Sequence, residues 1–435
     1  MLDKRIYIRE ALKKNSKEII VAGWVENIKA LGSIIFVSLR DRSGKLQAVA
    51  LKKSLTPEAY KKLSKVTPES AIAIKGKIQK SKAKGAKHEL ALKDFEVLSR
   101  AETPLPVDMA SNTTTGLDKR LDNRFLDTRR EKINAIFRVR SNLFKYTVDF
   151  FHKEGFVNIN TPKLTACGVE SGAELFDLPY FGKKAYLAQS PQVYKQMFVA
   201  GGFERVYEIA PVFRAEKSHT TRHLTEFTGI DMEMGFIKDE HDVMDVVEAL
   251  FKFIIKKVKQ ECKEELKILG VELDIPKKIP RIDHKEIRAL LKKEGKEIGE
   301  NDDLDAEAEE LLGKIVKKKY KEDFVFTLNY PWAIRPFYHM KPENDPKGTK
   351  SFDLLWNGVE IATGAQREHR YEILLAQAKE KGVELNEDYG KIFRLGAPSH
   401  GGIGLGLDRM AQRLLKLNNV REAILLPRDP ERLEP

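Results

Sequence analysis

The chain has 435 residues, with 77 Lys and Arg against 65 Asp and Glu, a formal charge of +12, and two cysteines. That length supports about two or three domains with a large apolar core, and Cys167 and Cys262 form neither a disulfide framework nor a zinc spacing. No run approaches the ~18 apolar residues of a membrane span, and MLDKRIYIREALKKN lacks the apolar stretch of a secretory signal, so a soluble cytoplasmic protein is expected.

The charge is unevenly placed. Residues 1–100 hold 23 Lys and Arg against 10 Asp and Glu, whereas the rest is almost balanced, with 54 against 55. Excess positive charge confined to one region points to a polyanion such as nucleic acid.

In chain order, 19–28, 34–40 and 46–51 read as strands, the last two joined by the turn Asp41-Arg42-Ser43-Gly44. A helix is predicted over Pro57–Ser64, then strands over 71–78 and 88–98, with 81–88 a basic loop. Five strands with a helix between the third and fourth fit an OB-fold barrel over 1–102. Residues 103–130, with Pro104, Pro106, SNTTTG and the Asp/Arg-rich LDKRLDNRFLDTRR, read as a hinge. From 131 to 435 an α+β domain on a mainly antiparallel sheet is expected. Its first helix spans 133–154 and is capped by Gly155; strands follow at 156–160, 185–189, 205–213, 226–236, 351–355 and 358–363, and long helices near 240–265 and 305–319. A small helical elaboration is assigned to about 262–325.

Three strings in the second region carry the chemistry. FRAE (213–216) and RHLTEF (222–227) place Arg214 and Phe227 on neighbouring strands, and GIGLGLDR (402–409) sets Arg409 at the start of a helix after glycines. A guanidinium fork matches phosphate oxygens, and an aromatic face can stack on a base. In SFDLLWNGVE the Asn357-Gly358 turn brings Asp353 and Glu360 towards each other across a hairpin. Gln192 and Lys195 in YLAQSPQVYKQ lie a helical turn apart, and Arg367 projects from GAQREHR. A Lys and an Arg meeting at one buried point suit a carboxylate.

With FVNINTPKLT (156–165) ahead of them, these strings resemble, in order and spacing, the three signature motifs of class II aminoacyl-tRNA synthetases, and nearly the whole chain is covered. Within that class the pocket strings resemble the aspartyl-tRNA synthetases. The resemblance implies ATP as substrate, with Arg214 on the α-phosphate, Arg409 on the γ-phosphate and Phe227 on adenine. It sets Glu216 near the adenine amino group or the tRNA end, and Arg222, His223 and His400 near ATP. It implies Mg²⁺ at Asp353, Glu360 and Thr363. L-Aspartate falls to Glu170, Ser190, Gln192, Lys195, Asp231 and Arg367, with Glu170 and Asp231 on the α-ammonium. Asparaginyl enzymes typically carry a glutamate at the position of Lys195, so Lys195 discriminates. APSHGG departs from the family's usual double proline before His400.

In the barrel, IIFVSLRD and GKLQAVA resemble the anticodon-binding strands, which implies Phe36 stacking on a base, Gln47 and Glu89 at the central uridine, and Lys29 at the first anticodon base. Alternation alone leaves open which face Phe36 occupies. The expected activity is aspartate–tRNA ligase on tRNA-Asp, with tRNA-Asn as a further acceptor left open, in a homodimer through the Pro162 segment. The alternatives are an asparaginyl enzyme and a non-catalytic RNA-binding paralogue on the same fold.

Overall fold

The computed structural model describes residues 1–14, 17–81, 87–110, 114–166, 175–217 and 220–435, which divide into two compact units, Met1–Pro106 and Val107–Pro435. Glu170 and most of the basic loop 81–88 lie outside the described residues.

The first unit is a closed five-stranded barrel of β1 (Glu18–Leu31), β2 (Ile34–Asp41), β3 (Gly44–Leu51), β4 (Ala71–Lys80) and β5 (His88–Ser99), joined in the order β1-β2-β3-β5-β4. Helix α1 (Ile8–Ala11) precedes it, and α2 (Pro57–Ser64) follows β3, started by the Thr56 side chain, which accepts from the Ala59 N–H, and by proline at its first position. Alternation fills the interior: Ile35, Val37 and Leu39 of β2 face Leu46, Ala48 and Ala50 of β3 inside the barrel. Phe36, Ser38 and Gln47 are therefore on the outer wall, which answers the question left by the sequence.

The second unit opens with α3 (Leu117–Asp122) and α4 (Arg124–Asp127). Here the structure corrects the hinge: Arg120, Arg124 and Arg130 converge on buried Asp127, and Arg124 also donates to the carbonyls of Glu422 and Ile424 at 2.9 and 3.1 Å. The Asp/Arg-rich stretch is a packed knot rather than a solvated linker.

An eight-stranded sheet follows. Its strands are β6 (Val157–Asn158), β10 (Arg205–Phe213), β11 (Glu226–Gly235), β12 (Arg281–Asp283), β13 (Phe324–Leu328), β14 (Ser351–Trp356), β15 (Glu360–Arg367) and β16 (His400–Gly406). Their order is β12-β13-β14-β15-β16-β11-β10-β6, antiparallel except at the two edge pairs. The supposed helical elaboration thus contributes β12 and β13 to this sheet. A separate small sheet holds β7 (Leu164–Thr165), β8 (Asp177–Tyr180) and β9 (Lys183–Leu187).

The remaining helices are α5 (Glu131–Lys153), α6 (Gln192–Phe198), α7 (Glu240–Glu261), α8 (Lys263–Leu269), α9 (His284–Lys293), α10 (Ala306–Tyr320), α11 (Tyr371–Glu380), α12 (Glu387–Arg394) and α13 (Leu407–Leu414). Helix α5 buries Ile133, Ile136, Val139, Leu143, Tyr146 and Phe150, spaced at three and four residues, and ends before Gly155 at φ +77°. It packs with α7 and α13 on one face of the sheet, against Ile230, Met232 and Met234 of β11 and Ile403 and Leu405 of β16. Each fully buried side chain of this size contributes about 1.5–3 kcal/mol. The alternate residues of those strands face the other way, where the site lies.

Candidate active site

On that other face Gly229, Asp231 and Glu233 of β11 run beside Gly406, Gly404 and Gly402 of β16, and Thr363 and Ala365 of β15 pair with Gly404 and Gly402. The glycines keep the floor bare. A Cβ at Gly402 would come within 2.1 Å of Glu233 Oε2, whereas one at Gly404 would meet only an ordinary contact, 3.6 Å from Asp231 Oδ1. Above this floor is a cavity of about 730 Å³, and twelve of the expected residues line it: Ser190, Gln192, Arg214, Glu216, Arg222, His223, Phe227, Asp231, Glu360, Thr363, Arg367 and Arg409.

One end is built of four alternating charges. Lys195 Nζ donates to Asp231 Oδ1 at 2.9 Å and to the Ile403 carbonyl at 2.8 Å, and lies 3.4 Å from Glu233 Oε2. Arg367 Nε donates to Glu233 Oε1 at 2.9 Å, and its other nitrogens reach the Gly402 carbonyl at 3.1 Å and His339 Nε2 at 3.0 Å. Burial on its own would raise the Glu233 carboxyl, but the charges of Arg367 and Lys195 hold it below the usual carboxylate range. Burial, with Arg367 beside it, drives His339 well below the usual imidazole range, so it is neutral and accepts from the guanidinium. Two cations and two anions balance. Only Asp231 and Arg367 of the four line the cavity, so a neutral quartet presents one negative and one positive pole side by side. Gln192 adds a buried amide nitrogen that has no hydrogen-bond partner among the described residues.

The other end is cationic. Arg214 follows β10, its N–H donating to the Thr225 carbonyl, with its guanidinium 5.6 Å from the centre of the Phe227 ring. Glu216 lies 3.9 Å from both Arg214 and His223. Arg409 opens α13, whose start is fixed by Asp408: Arg140 of α5 donates to its Oδ1 at 2.6 and 2.9 Å, and the Thr228 N–H to its Oδ2 at 2.8 Å. So held, Arg409 donates to the Glu360 carbonyl at 2.9 Å and the Arg222 carbonyl at 3.4 Å.

Asn357 and Gly358 both take positive φ, 49° and 67°, as a two-residue hairpin turn requires. A register shift then pairs Leu355 with Glu360 and Asp353 with Thr363. Thr363 Oγ1 donates to Glu360 Oε1 at 3.1 Å at the cavity wall. Asp353 is beneath the wall, paired with Arg335, and its Oδ1 is buried with no hydrogen-bond partner among the described residues. Among the described residues no three acids or imidazoles gather as a metal cage. One or two carboxylates with a hydroxyl fit Mg²⁺, which takes its other oxygens from phosphate and water.

Three expectations need correction or relocation. His400 does not face the cavity: it is buried, with Nε2 2.8 Å from the Gln196 amide nitrogen and Nδ1 2.8 Å from the Pro398 carbonyl. It stacks on Phe393 as part of the core. Lys195 and Asp353 lie one layer below the lining, in contact with the lining residues Asp231 and Arg335 respectively. Glu233, His339 and Arg335 were missed. Only Glu233 had a sequence signal, its place two residues after Asp231 on the same strand face.

Residues 116–430 match the class II tRNA synthetases (D, K and N), and residues 19–98 the OB-fold nucleic acid binding domain. The chain belongs to the class II aminoacyl-tRNA synthetases. It is 46% identical over 424 residues to the aspartate–tRNA(Asp) ligase of Pyrococcus horikoshii, covering 97% of each chain. It is 43% identical over 426 residues to the aspartate–tRNA(Asp/Asn) ligase of Methanocaldococcus jannaschii, covering 97% of this chain and 95% of the relative. Among solved structures, an asparaginyl-tRNA synthetase from Pyrococcus horikoshii complexed with asparaginyl-adenylate superposes with a TM-score of 0.94 at 32% identity over 100% of both chains. An aspartyl-tRNA synthetase from Entamoeba histolytica gives 0.90 at 34% identity, over 99% of this chain and 93% of that one. No helix among the described residues of this class II synthetase is long and apolar enough to cross a membrane.

On the barrel of the synthetase, Lys29 pairs with Phe36, Phe36 with Val49, and Ser38 with Gln47, so Lys29, Phe36 and Gln47 share the outer wall. Glu89 comes beside Gln47 through the parallel β3–β5 ladder, which pairs Ala48 with Leu90. It is buried rather than open, with its two oxygens accepting from Gln79 Nε2 at 2.8 Å and Ser81 Oγ at 3.0 Å. Gln79 and Ser81 hold it and had not been singled out from sequence.

Proposed function

We propose that this synthetase is an aspartate–tRNA ligase, which activates L-aspartate with ATP and passes it to the 3′-terminal adenosine of tRNA-Asp. The observation that carries the substrate choice is the buried quartet of Lys195, Asp231, Glu233 and Arg367. In this reading the substrate's α-ammonium pairs with Asp231 and its side-chain carboxylate with Arg367. That leaves Lys195 and Glu233 to keep the two poles apart and oriented. An amide in place of the side-chain carboxylate would gain no ion pair there, so asparagine is the poorer substrate. Ser190 and Gln192 complete the pocket, and Glu170 is assigned to the α-ammonium from the resemblance.

ATP occupies the cationic end, with adenine on Phe227 and near Glu216, the α-phosphate on Arg214, and the outer phosphates on Arg222, His223 and Arg409. The α-carboxylate oxygen attacks the α-phosphorus in line; the new O–P bond forms as the bond to pyrophosphate breaks. No proton has to be removed, so catalysis is positioning and charge neutralisation. Mg²⁺ would be held by Glu360 and Thr363, with Asp353 behind them, and supplies charge neutralisation on the phosphates. The terminal ribose 3′-hydroxyl then attacks the acyl carbonyl, and AMP leaves.

The outer wall of the barrel, with Phe36, Gln47 and Lys29 and with Glu89 beside Gln47, is assigned to the anticodon. Base stacking on an aromatic is worth about 1–3 kcal/mol. A homodimer through the Pro162 segment is part of the proposal, supported by exposed Val157 and Leu164 on either side of it. The test is ATP–pyrophosphate exchange with aspartate and asparagine in parallel, then charging of purified tRNA-Asp and tRNA-Asn. Exchange driven equally by asparagine would overturn the substrate assignment. Charging of tRNA-Asn with aspartate would place the enzyme among the dual-acceptor ligases, as the Methanocaldococcus relative is named.

A further inference from the structure

Helix α10 lies outside the three signature strings, yet it reaches the phosphate end of the cavity. Its approach depends on two glycines. A Cβ at Gly313 of α10 would come within 2.6 Å of the Gly358 nitrogen, and one at Gly358 within 2.7 Å of the Glu309 carbonyl. Backbone therefore meets backbone, with the helix seated directly on the hairpin turn that precedes Glu360. This contact delivers the Glu309 side chain, 12% exposed, behind Arg222, whose Nη1 donates to Glu309 Oε2 at 3.1 Å. Arg222 lines the cavity and Glu309 does not.

Arg222 comes from the segment between β10 and β11, whose described residues form no helix or strand of their own. Its other tie to the site is the 3.4 Å bond from Arg409 to its carbonyl, which fixes the backbone and leaves the guanidinium unconstrained. We infer that Glu309 is a positioning residue, which aims the Arg222 guanidinium at the outer phosphates of ATP and ties it to the strand bearing Glu360. The inference rests on the reading of this end of the cavity as the triphosphate site. It makes the packing of α10 on the turn a determinant of nucleotide affinity.

The test measures binding of ATP and of AMP, each with Mg²⁺ and without amino acid, by titration calorimetry on the full-length protein. At about pH 8.5, above the value of about 7 to which burial and then the nearby Glu360 push the Glu309 carboxyl, Glu309→Gln keeps the shape and loses the charge. It is expected to weaken ATP about tenfold, as for loss of one charged hydrogen bond, and to leave AMP, which lacks the outer phosphates, unchanged. Arg222→Ala should show the same split, and the double variant should bind ATP no more weakly than Arg222→Ala alone. Glu309→Asp, retaining the charge, should recover part of the loss. Equal weakening of ATP and AMP, or losses that multiply in the double variant, would overturn the inference. Unchanged ATP binding in Glu309→Gln would do so too. The reading beneath it fails separately, if wild-type protein binds ATP no better than AMP.

Discussion

Glu233 and Arg367 join across a strand that neither belongs to. The carboxylate comes from β11, the guanidinium from β15, and they meet over Gly402 of β16 with Nε–Oε1 at 2.9 Å. Removing one partner of a buried pair strands the other, at about 3–5 kcal/mol. Glu233→Gln should lower the unfolding free energy by that order in urea melts and raise the KM for aspartate far more than that for ATP. A variant as stable as the wild type would show that the pair is not what holds this end of the site.

The floor glycines should separate folding from binding. Gly402→Ala drives a Cβ into Glu233 Oε2 and the Met232 carbonyl, both 2.1 Å away, whereas Gly404→Ala meets only an ordinary contact at 3.6 Å. The first is expected to cost at least the 1–3 kcal/mol typical of overpacking. The second should melt within about a degree or two of the wild type while raising the KM for aspartate. Reversed effects would mean that the cavity is not built on this lane.

Lys195→Glu sets a third carboxylate beside Asp231 and Glu233. Aspartate kcat/KM should fall by several kcal/mol of transition-state stabilisation, about 10²–10³-fold or more. An unchanged specificity constant would remove Lys195 from the discrimination between acid and amide.

Arg409 is partly exposed, and its bonds go to two carbonyls, so Arg409→Ala should leave the melting temperature nearly unchanged. Loss of a charge that stabilises phosphate in the transition state should cost about 10²–10³-fold in pyrophosphate exchange. Exchange at the wild-type rate would contradict the assignment.

His284 supplies a pH dependence. Burial, then Arg288 and Arg335 nearby, pull it from an ordinary 6.5 down to about 4. Between those values the unfolded chain takes up a proton that the folded one refuses. Stability is therefore full above about pH 6.5, declines as the pH falls towards 4 and levels off below, by up to about 3 kcal/mol. His284→Phe, against Tyr330, should flatten that stretch of a stability–pH curve; an unaltered slope would assign it to other groups.

Much of the architecture was legible because its signals are local. The barrel strands alternate in period two, Thr56-Pro57 starts α2 where expected, and Asn357-Gly358 makes its hairpin. Arg214, Phe227 and Arg409 sit in strings that fold as units. The misreadings share a cause, which is that partners far apart in sequence decide burial. Residues 117–130 look solvated until Arg124 is seen to bind carbonyls some three hundred positions later. His400 follows a family pattern, yet Gln196 and Phe393 draw it inward. Glu233 reads as one acid in an alternating strand, and nothing local reveals that Arg367 and Lys195 will enclose it.

The bare lane of β16 has a consequence for how selectivity can change in this enzyme. A floor made of peptide groups has no rotamers, so under the proposed placement of the substrate it offers each incoming amino acid the same rigid plane. Any shift from acid to amide would have to be written into the flanking side chains, where a single reversal of sign at Lys195 undoes the electrical balance of the whole pocket.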